Sequence, residues 1–351
     1  MKISKSITYL LTIGLSCSLA MVKAQSETNS KGAIMDPVAE NMLAYQRSVG
    51  GWPKAIGKTV VNYDKLLSES ERIAVRADSL RNDATIDNKA TSKEIRYLIK
   101  AYKTKPDRRY LAAVQKGVDY LLEAQYDNGG WSQYYPDHSS YRGEITYNDN
   151  AMINVLNIMQ DIVDGKNDFD QLNPDYKEKA LLSVKKGVSC ILKTQVMVKG
   201  KLTVWCAQYD EQTMKPAKAR AFELISLSGS ESVGITEFLM RIKKPSEEIK
   251  RAVTSAVEWF ERSKIVGYDF AFVEAPALPG GKDRKLVEKP GAILWARFYD
   301  IDTNEPFFSG RDSKKVKTVA EIEHERRIGY AWYGAWAASL LEKKYPAWLK
   351  K

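Results

Sequence analysis

Apolar residues recur at helical spacing along most of the chain from Asp36 onward. Two runs show the pattern clearly, with apolar positions three or four residues apart that would share one face of a helix. Their members are Ile95, Leu98, Ile99 and Tyr102, followed by Leu111, Val114, Val118, Leu121 and Leu122. Asp36-Pro37 and Asn173-Pro174 each combine a capping residue with a proline suited to the first helical position. The pattern therefore predicts a mostly α-helical protein.

A short motif of glutamine followed by Gly-Gly-Trp marks an internal repeat. It occurs at residues 46–52 and again at 125–131, and the apolar run at 117–122 aligns with a second run at 187–192. The predicted unit is a helix that ends in a glycine turn and an extended loop bearing tryptophan, with a return helix between copies. Repeated helical hairpins that close on themselves form an all-α fold, the α/α toroid, whose loops line a cleft at one end.

The tryptophans of these loops have two possible roles. After the second aligned run, residues 201–210 alternate in the manner of a strand around a third tryptophan, Trp205. The loop tryptophans could stack on sugars. Because they recur once per repeat, packing beneath the turn is the favoured role.

The pattern changes over residues 267–313, where prolines and glycines would interrupt any helix. The breaking residues are Pro276, Pro279, Gly280, Gly281, Pro290 and Gly291. Within this segment, the apolar and aromatic run at 293–299 indicates a buried strand or extended stretch, with Arg297 in its middle and Arg311 beyond it. Long irregular segments in compact domains are often functional, so both arginines are candidate site residues.

The first residues have the composition of a secretory signal. Lys2 and Lys5 provide a basic start, residues 7–19 are mostly apolar, and Ala24 precedes a cut predicted before Gln25. The apolar run is too short and too interrupted to span a membrane comfortably.

This pattern predicts three segments. Residues 1–24 are expected to be a signal peptide, 25–35 a disordered lead-in and 36–351 a single catalytic domain. The protein is therefore expected to be exported, to the periplasm or to the medium, with no membrane span.

Net charge narrows the class of partner. Loss of the signal peptide would remove three lysines and no acids, which lowers the net charge from +10 to +7. The remaining excess favours a polyuronate, nucleic acid or an anionic surface, although a solvated basic surface is the simpler reading of charge alone. Export makes nucleic acid the least expected of these partners.

Histidine and cysteine usage excludes several kinds of site. His138 and His324 are the only histidines, and neither lies beside a convincing nucleophile, so a histidine-based triad or a His-rich zinc site is not expected. Cys190 and Cys206 remain after processing. Export permits a disulfide between them, but each also has the apolar neighbours of a buried thiol, so the sequence leaves their pairing open.

Two polar clusters stand directly before helix-period segments. Asp87-Asn88 and the run at 148–150, which contains Asp149, offer carboxylate and amide oxygens, the ligands that calcium prefers. Asp and Asn are also favoured helix caps, and for any one of these residues capping is the simpler role. Two such clusters facing one cleft would instead make a metal site.

Three arginines complete the candidate chemistry. Arg220 has small neighbours that leave its guanidinium reachable, although Glu223 could pair with it at helical spacing. Arg297 and Arg311 could each hold a carboxylate in the planar two-bond geometry of arginine. Their alternative partners are acidic residues nearby in the chain, namely Asp300, Asp302 and Asp312.

Taken together, these motifs resemble the pectate lyases of polysaccharide lyase family 10 over nearly the whole mature chain. The matching stretches are residues 50–54, 87–91, 121–131, 145–152, 201–208, 226–234, 295–299, 307–312 and 322–333. Several long motifs in the right order are more specific than any one of them. Two departures, Ser132 and Ile225 where proline is expected, remove no charged residue.

The resemblance implies an (α/α)3 toroid that cleaves polygalacturonate by calcium-dependent β-elimination. Arg220 matches the family's catalytic arginine base, and Asp149 matches its calcium-binding aspartate. The catalytic set would also include Asp87, which we expect to share the Ca2+ ion. The substrate would be held by Asn88, Arg297 and Arg311. A monomer is expected.

Two alternatives remain from the residues alone. An inverting glycoside hydrolase could use Asp149 with Glu223 or Glu231 as its acid and base. A non-catalytic protein could bind acidic glycans without changing them. Endo or exo action and tolerance of methyl esters are not determined by the sequence.

Overall fold

The computed structural model describes residues 36–350, in which helices are the main elements. The predicted signal peptide at 1–24 and lead-in at 25–35 lie outside the described residues. The α-helices are α1 Pro37–Tyr45, α2 Glu69–Ala77, α3 Ser92–Thr104, α4 Arg108–Glu123, α5 Ala151–Asp164, α6 Asp175–Thr194, α7 Glu231–Arg241, α8 Glu247–Arg262, α9 His324–Gly329 and α10 Tyr345–Trp348. From Pro37 onward the chain forms one compact unit.

The longer helices pack as three hairpins, α3 with α4, α5 with α6 and α7 with α8. Within successive hairpins, α3 contacts α5 and α5 contacts α7, while α4 contacts α6 and α6 contacts α8. The chain therefore has two layers of helices, with α1 packed against the first hairpin. We call α3, α5 and α7 the inner helices and α4, α6 and α8 the outer helices. The predicted helical, toroid-like architecture is confirmed at this level, and closure into an (α/α)3 ring stays a prediction.

Amphipathic spacing and caps explain why these helices form. On α8, the buried residues are Ile249, Ala252, Val253, Ala256, Val257, Trp259 and Phe260, which follow the three-and-four spacing of one helical face. Ser246 caps this helix by accepting from the Ile249 amide at 3.3 Å, and Asp107 caps α4 by accepting from the Arg109 amide at 2.8 Å. Each cap satisfies an amide that the helix itself leaves free, which is worth about 1 kcal/mol.

The tryptophans of the repeat pack beneath its turns, as predicted. Trp52, Trp131 and Trp205 are fully buried. Each indole N–H donates to a carbonyl of the preceding helix, with bonds of 2.7 Å to Met42, 2.7 Å to Leu121 and 2.8 Å to Ile191. They anchor the turns to the core and are not available to stack on a ligand.

A glutamine in each turn joins one repeat to the next, and we call these bonds the glutamine latches. Their side-chain amides donate within the turn and also to a carbonyl of the next outer helix. The second bonds run from Gln46 to Ala113 at 2.9 Å, from Gln125 to Ser183 at 3.0 Å and from Gln195 to Ala252 at 3.0 Å. Gly129 has a φ of 93°, and a Cβ there would lie 2.1 Å from the Lys186 carbonyl oxygen. Only glycine fits this close approach.

The strands are mostly two-residue pairs in the loops. They are β1 Ala55–Ile56, β2 Thr59–Val60, β3 Ile145–Thr146, β4 Met197–Val198, β5 Lys201–Leu202, β6 Gln208–Tyr209, β7 Leu227–Ser228, β8 Ile265–Glu274, β9 Lys282–Ala296, β10 Phe298–Tyr299, β11 Phe308–Ser309, β12 Lys315–Val316 and β13 Tyr333–Gly334. Only β8, β9 and β13 form a sheet of more than two strands within residues 36–350.

The segment predicted to be irregular contains a long antiparallel hairpin of β8 and β9. Their register runs from Ile265 opposite Leu294 to Glu274 opposite Lys282, with a shift after Val266. The helix-breaking residues do not interrupt the pairing because they fall in the turn and opposite the shift. The run at 293–299 is buried and extended as predicted, with a break between β9 and β10 at Arg297.

Both cysteines in the described residues are free and buried. The Cys190 thiol lies 3.9 Å from the Tyr147 hydroxyl, and the Cys206 thiol lies 3.7 Å from the Ala217 carbonyl oxygen. Burial raises the pKa of Cys190 to about 11. Across residues 36–350, no helix combines the length and apolar character that crossing a bilayer requires.

Candidate active site

The repeat brings three polar turns to one end of the inner helices. The turns precede α3, α5 and α7. Each begins at a residue whose amide donates to a buried tryptophan carbonyl. The bonds join Thr85 to Trp52 at 3.0 Å, Thr146 to Trp131 at 3.0 Å and Ser228 to Trp205 at 2.7 Å. Asp87, Asp149 and Glu231 follow these residues, so the same packing that builds the repeat brings three carboxylates together.

Two of these turns are 3-10 turns with left-handed backbone, Asp87–Lys89 and Asn148–Asn150. Asn88 has a φ of 48° and Asp149 a φ of 51°. Asn and Asp tolerate this conformation better than other residues with a side chain. Helix capping, the simpler role named for these residues from the sequence, is not seen, because neither α3 nor α5 begins with a side-chain cap bond.

A cleft of about 320 Å³ opens at this end of the molecule. It is lined by Lys54, Asp87, Asn88, Gln133, Tyr134, Tyr141, Arg142, Asn148, Asp149, Gln208, Arg220 and Glu223. Four of the predicted site residues, Asp87, Asn88, Asp149 and Arg220, are among them. Arg297 and Arg311 are not among the lining residues.

Asp87 is buried and its carboxylate is paired. Lys54 forms a short ion pair with Oδ2, and the backbone N–H of Asn88 donates to Oδ1 at 3.0 Å. Burial alone would lower the pKa of Lys54, but the hydrogen bond that Lys54 donates to Asp87 and the negative charge of Asp87 together outweigh burial and raise the pKa above its ordinary value. Lys54 had no predicted role. Its position two residues after the buried Trp52 is the signal that could have identified it.

Asp149 stands in a more open and more negative place. Its side chain is 42% exposed, and the nearest cation is Arg297, whose Nη2 lies 3.7 Å from Oδ1. The pKa of Asp149 is raised, first by burial and then by the negative charge of Glu231, while Arg297 opposes this. The negative charge of this carboxylate is therefore only partly balanced by nearby cations.

The donor set around Asp149 fits a hard cation. The Asn148 amide lies beside its carboxylate, donating to Oδ2 at 3.1 Å, and Asn88 and Gln208 line the same cleft. These side chains offer oxygen atoms without histidine or thiol, which is the chemistry that calcium selects. A divalent ion here would also meet the charge demand of Asp149.

Arg297 lies behind the cleft and is only 10% exposed. Its Nη2 donates to the buried Glu231 at 2.5 Å, and its guanidinium lies 5.0 Å from the Tyr330 ring. Burial would lower its pKa, but the charge of Glu231 raises it. The alternative partners named from the sequence were wrong, because Glu231, 66 residues away in the chain, lies closer in space.

Arg220 is held by Glu223, the partner named as its alternative role. Its Nε donates to Glu223 Oε2 at 2.7 Å, and a second, shorter bond joins Nη2 to Oε1. Tyr330 donates its hydroxyl to the same carboxylate at 2.9 Å. The hydrogen bonds to Glu223 raise the pKa of Arg220 above its ordinary value. Tyr330 is a further residue that the sequence analysis missed.

Arg311 lies beside the cleft with its side chain 61% exposed. It forms a short ion pair with Glu325, not with Asp312, and its backbone amide donates to Glu323 at 2.9 Å. Glu325 raises the pKa of Arg311, and the positive charge of Arg220 opposes this increase, so the two arginines are close enough to interact. Because its side chain is exposed, Arg311 could turn toward an anionic ligand bound in the cleft.

A second group of acids lies where β3 meets β6, outside the cleft lining. Carboxylate oxygens of Glu144, Asp210 and Glu211 lie within 4.8 Å of one another. Burial, followed by the charges of the other two acids, raises the pKa of Glu144 to about 6. None of these residues was predicted as a metal ligand, and exposed acidic groups of this kind are common without an ion.

Comparisons with known proteins were made for the whole chain. A family model described as pectic acid lyase matches residues 46–341. A solved structure of a family 10 polysaccharide lyase from Cellvibrio cellulosa is similar with a TM-score of 0.75 and 34% identity, covering 88% of this chain and 91% of that chain. A mutant of that lyase in complex with trigalacturonic acid is similar with a TM-score of 0.75 and 34% identity over 88% of this chain and 92% of that chain. No curated protein gives a significant match.

Proposed function

Since the chain belongs to the pectic acid lyase family and is a pectate lyase, we propose that it cleaves polygalacturonate by calcium-assisted β-elimination with Arg220 as the base. The observation that carries this proposal is that Arg220 and Asp149 line the same cleft. One bound substrate could then contact both the guanidinium of Arg220 and a metal ion held by Asp149.

The charges around the cleft suit an acidic polysaccharide. Three cations, Lys54, Arg142 and Arg220, line it beside three acids, and Arg311 is exposed nearby. A divalent ion bound by the acids would leave the cleft with a net positive charge. We assign Arg311 and Arg297 to the carboxylates of the bound chain, and Asn88 to a sugar hydroxyl or carboxylate. Arginine holds carboxylates through two parallel bonds, which orients the sugar ring as well as attracting it. The trigalacturonic acid in the Cellvibrio mutant complex supports this substrate class.

The proposed reaction removes the proton from C5 of a galacturonate. The electron pair of that C–H bond forms the C4–C5 double bond, and the bond from C4 to O4 breaks with its electrons leaving on O4. Arg220 accepts the C5 proton. Removal of this proton puts negative charge on the adjacent carboxylate, and preorganised cations at that position lower the barrier.

Asp149 and Asp87 are the carboxylates we assign to Ca2+, with Asn148 as a further oxygen donor. When bound, the ion would supply positive charge to the substrate carboxylate. Asp149 is the principal ligand in this proposal because its charge is the less compensated. The charge of Asp87 is already balanced by Lys54, so in addition to binding the ion Asp87 would help to orient the bound sugar.

The hydrogen bonds of Glu223 act against a base role for Arg220. Arginine is ordinarily protonated, and Glu223 stabilises that protonated form further. The proposal therefore requires the bound substrate to displace Glu223 from the guanidinium. The pKa of Arg311 is raised by Glu325 and lowered by the charge of Arg220, and the same repulsion between the two guanidinium groups works against a proton on Arg220.

The hydrolase alternative fits these residues less well. Glu231 is buried and bound to Arg297 and Ser228. Burial would raise the pKa of Glu223, but the hydrogen bonds and charge of Arg220 and the bond from Tyr330 together outweigh burial and lower the pKa. Glu231 is thus already held by two partners, and a general acid needs a raised pKa, so Glu223 does not suit that role beside Asp149.

The test of the proposed reaction is incubation of the purified protein with polygalacturonate, with added calcium and with a calcium chelator. Ultraviolet absorbance from the unsaturated product should appear and should depend on calcium. New reducing ends without that absorbance would contradict elimination, and a rate unaffected by the chelator would contradict the role of the metal.

We also propose that the protein is exported and acts as a monomer. The basic and apolar pattern at residues 2–24 supports export. Amino-terminal sequencing of the protein recovered outside the cytoplasm should begin at Gln25, and its mass in solution should be that of one chain.

A further inference from the structure

One face of the β8–β9 hairpin carries exposed aromatic side chains. Side chains alternate between faces along a strand, so Tyr268, Phe270 and Phe272 share one face. Phe270 is buried against Tyr333, with ring centroids 5.1 Å apart. Phe272 is 52% exposed and Tyr268 is 39% exposed. Large aromatic surfaces exposed together usually mark a binding site.

Two cations lie over these rings. Arg284, which is paired with Phe272 across the hairpin, lies 4.3 Å from the Phe270 ring and 5.1 Å from the Phe272 ring. The Lys282 ammonium lies 4.9 Å from the Phe272 ring. Two acids share this face, Glu274 opposite Lys282 and Glu288 opposite Tyr268, so they lie at its two ends.

Arg284 has unused hydrogen-bonding capacity. Within residues 36–350 its buried Nε has no hydrogen-bond partner, and Nη1 makes a long bond of 3.4 Å to the Tyr330 carbonyl oxygen. The acids on the opposite face are already paired, Asp269 with Lys289 at 2.7 Å and Asp283 with Arg327 at 2.6 Å. A buried polar group without a partner is costly, so this guanidinium is suited to an added anion.

Tyr330 connects this face to the residues of the active-site cleft. Tyr330 contacts Arg284 through its carbonyl oxygen and Glu223 through its hydroxyl, and Glu223 holds Arg220. One tyrosine therefore separates Arg284 from the residues that line the cleft. A second link runs through α9, because the His324 ring lies 2.8 Å from the Lys282 carbonyl oxygen.

We propose that Phe272, Lys282 and Arg284 form a distal site that binds a uronate residue of a polygalacturonate chain extending out of the cleft. The inference rests on the proposed function for its substrate class. The apolar face of the sugar stacks on Phe272, and Lys282 and Arg284 hold its carboxylate. A chain that reaches both places is bound through two linked contacts, so long substrates gain affinity that short ones lack.

The test compares long polygalacturonate with trigalacturonic acid, which we expect to fill the cleft without reaching the distal site. Phe272→Ala and Lys282→Ala change exposed side chains and leave the backbone bond to His324 intact. Each should raise KM for the polymer about fivefold, which corresponds to roughly 1 kcal/mol. Neither should change kcat, and KM for the trimer should stay as in the unmodified protein.

Lys285→Ala is the matched control. Lys285 is exposed on the same hairpin but is paired with Ala271 on the opposite face. Its replacement by alanine changes the net charge as much as Lys282→Ala does, but away from the proposed site. It should leave both KM values unchanged. An equal effect of Lys285→Ala, or an unchanged polymer KM in both Phe272→Ala and Lys282→Ala, would overturn the distal site.

Migration in gels that contain polygalacturonate separates this inference from the proposed reaction. Retardation that weakens in Phe272→Ala and Lys282→Ala, but without unsaturated product, would support the distal site and contradict the reaction. Unsaturated product with equal retardation of all variants would support the reaction and contradict the distal site.

Discussion

Glu223 controls the protonation of Arg220 and so offers the sharpest test at the residue scale. A neutral Arg220 is required to accept a proton, so the rate should rise toward alkaline pH. Glu223 raises the pKa of Arg220, and its replacement by a neutral group should lower that pKa. In Glu223→Gln the rising limb of the pH profile of kcat/KM, which reports the free enzyme in which Glu223 holds Arg220, should therefore move to lower pH, by about one unit or more for a lost charge-assisted bond.

Tyr330→Phe is the companion variant for this measurement. It removes one bond to Glu223 but keeps the carboxylate on Arg220, so its profile should move less. A profile that stays in place or moves to higher pH in Glu223→Gln would contradict Arg220 as the base.

The identity of the base can also be tested directly. Arg220→Lys keeps a positive charge but moves it away from the C5 proton, so kcat should fall about 100-fold or more while KM changes little. Lys218→Ala, an exposed change two residues away, should keep normal kinetics. Near-normal kcat in Arg220→Lys would assign the proton transfer to another residue. Arg311→Ala should differ from both by raising KM.

Two acidic groups compete as the calcium site, and one pair of variants distinguishes them. Asp149→Asn is preferable to alanine because asparagine tolerates the left-handed backbone at this position. It should abolish most of the calcium dependence of activity and the calcium-induced rise in melting temperature. Glu211→Gln, in the group outside the cleft, should leave both unchanged. The opposite result would move the metal to Glu144, Asp210 and Glu211.

At the element scale, the glycine turns are the positions where the repeat tolerates least change. Gly129→Ala would place a Cβ 2.1 Å from the Lys186 carbonyl oxygen in a backbone with positive φ. We expect a loss of roughly 2 kcal/mol or more in the free energy of unfolding, measured by urea denaturation.

Gly165→Ala supplies the comparison. Gly165 also has a positive φ, 60°, at the end of α5, but a Cβ there would meet nothing within 4 Å. Its cost should therefore be limited to the backbone conformation, about 1 kcal/mol. Equal costs for the two glycines would show that the close approach at Gly129 relaxes without penalty.

The same scale shows which elements could be predicted from the sequence. The start of α1 at Pro37 and the helical faces of α3 and α4 follow from spacing and caps within a few residues. The β8–β9 hairpin was missed because its prolines and glycines were read as breaks. They fall in a turn and at a register shift, which depend on a pairing that only the folded strands reveal.

At the scale of the whole molecule, the repeat explains why part of the cleft was predictable. Asp87, Asn88 and Asp149 follow recurring turns, so their common position is a consequence of the repeat. The partners of these residues were not predictable in the same way. Lys54 lies 33 residues from Asp87 and Tyr330 lies 107 residues from Glu223, so only the packing of separate elements brings them together.

The glutamine latches all run in one direction along the chain. Gln46, Gln125 and Gln195 each bond to a helix that is synthesised later than the turn itself. During synthesis on the ribosome, the most recent turn therefore waits with an unsatisfied side chain until the following outer helix emerges. We therefore expect native contacts to form in order from the first hairpin to the last when the chain folds as it emerges, with one incomplete boundary at a time.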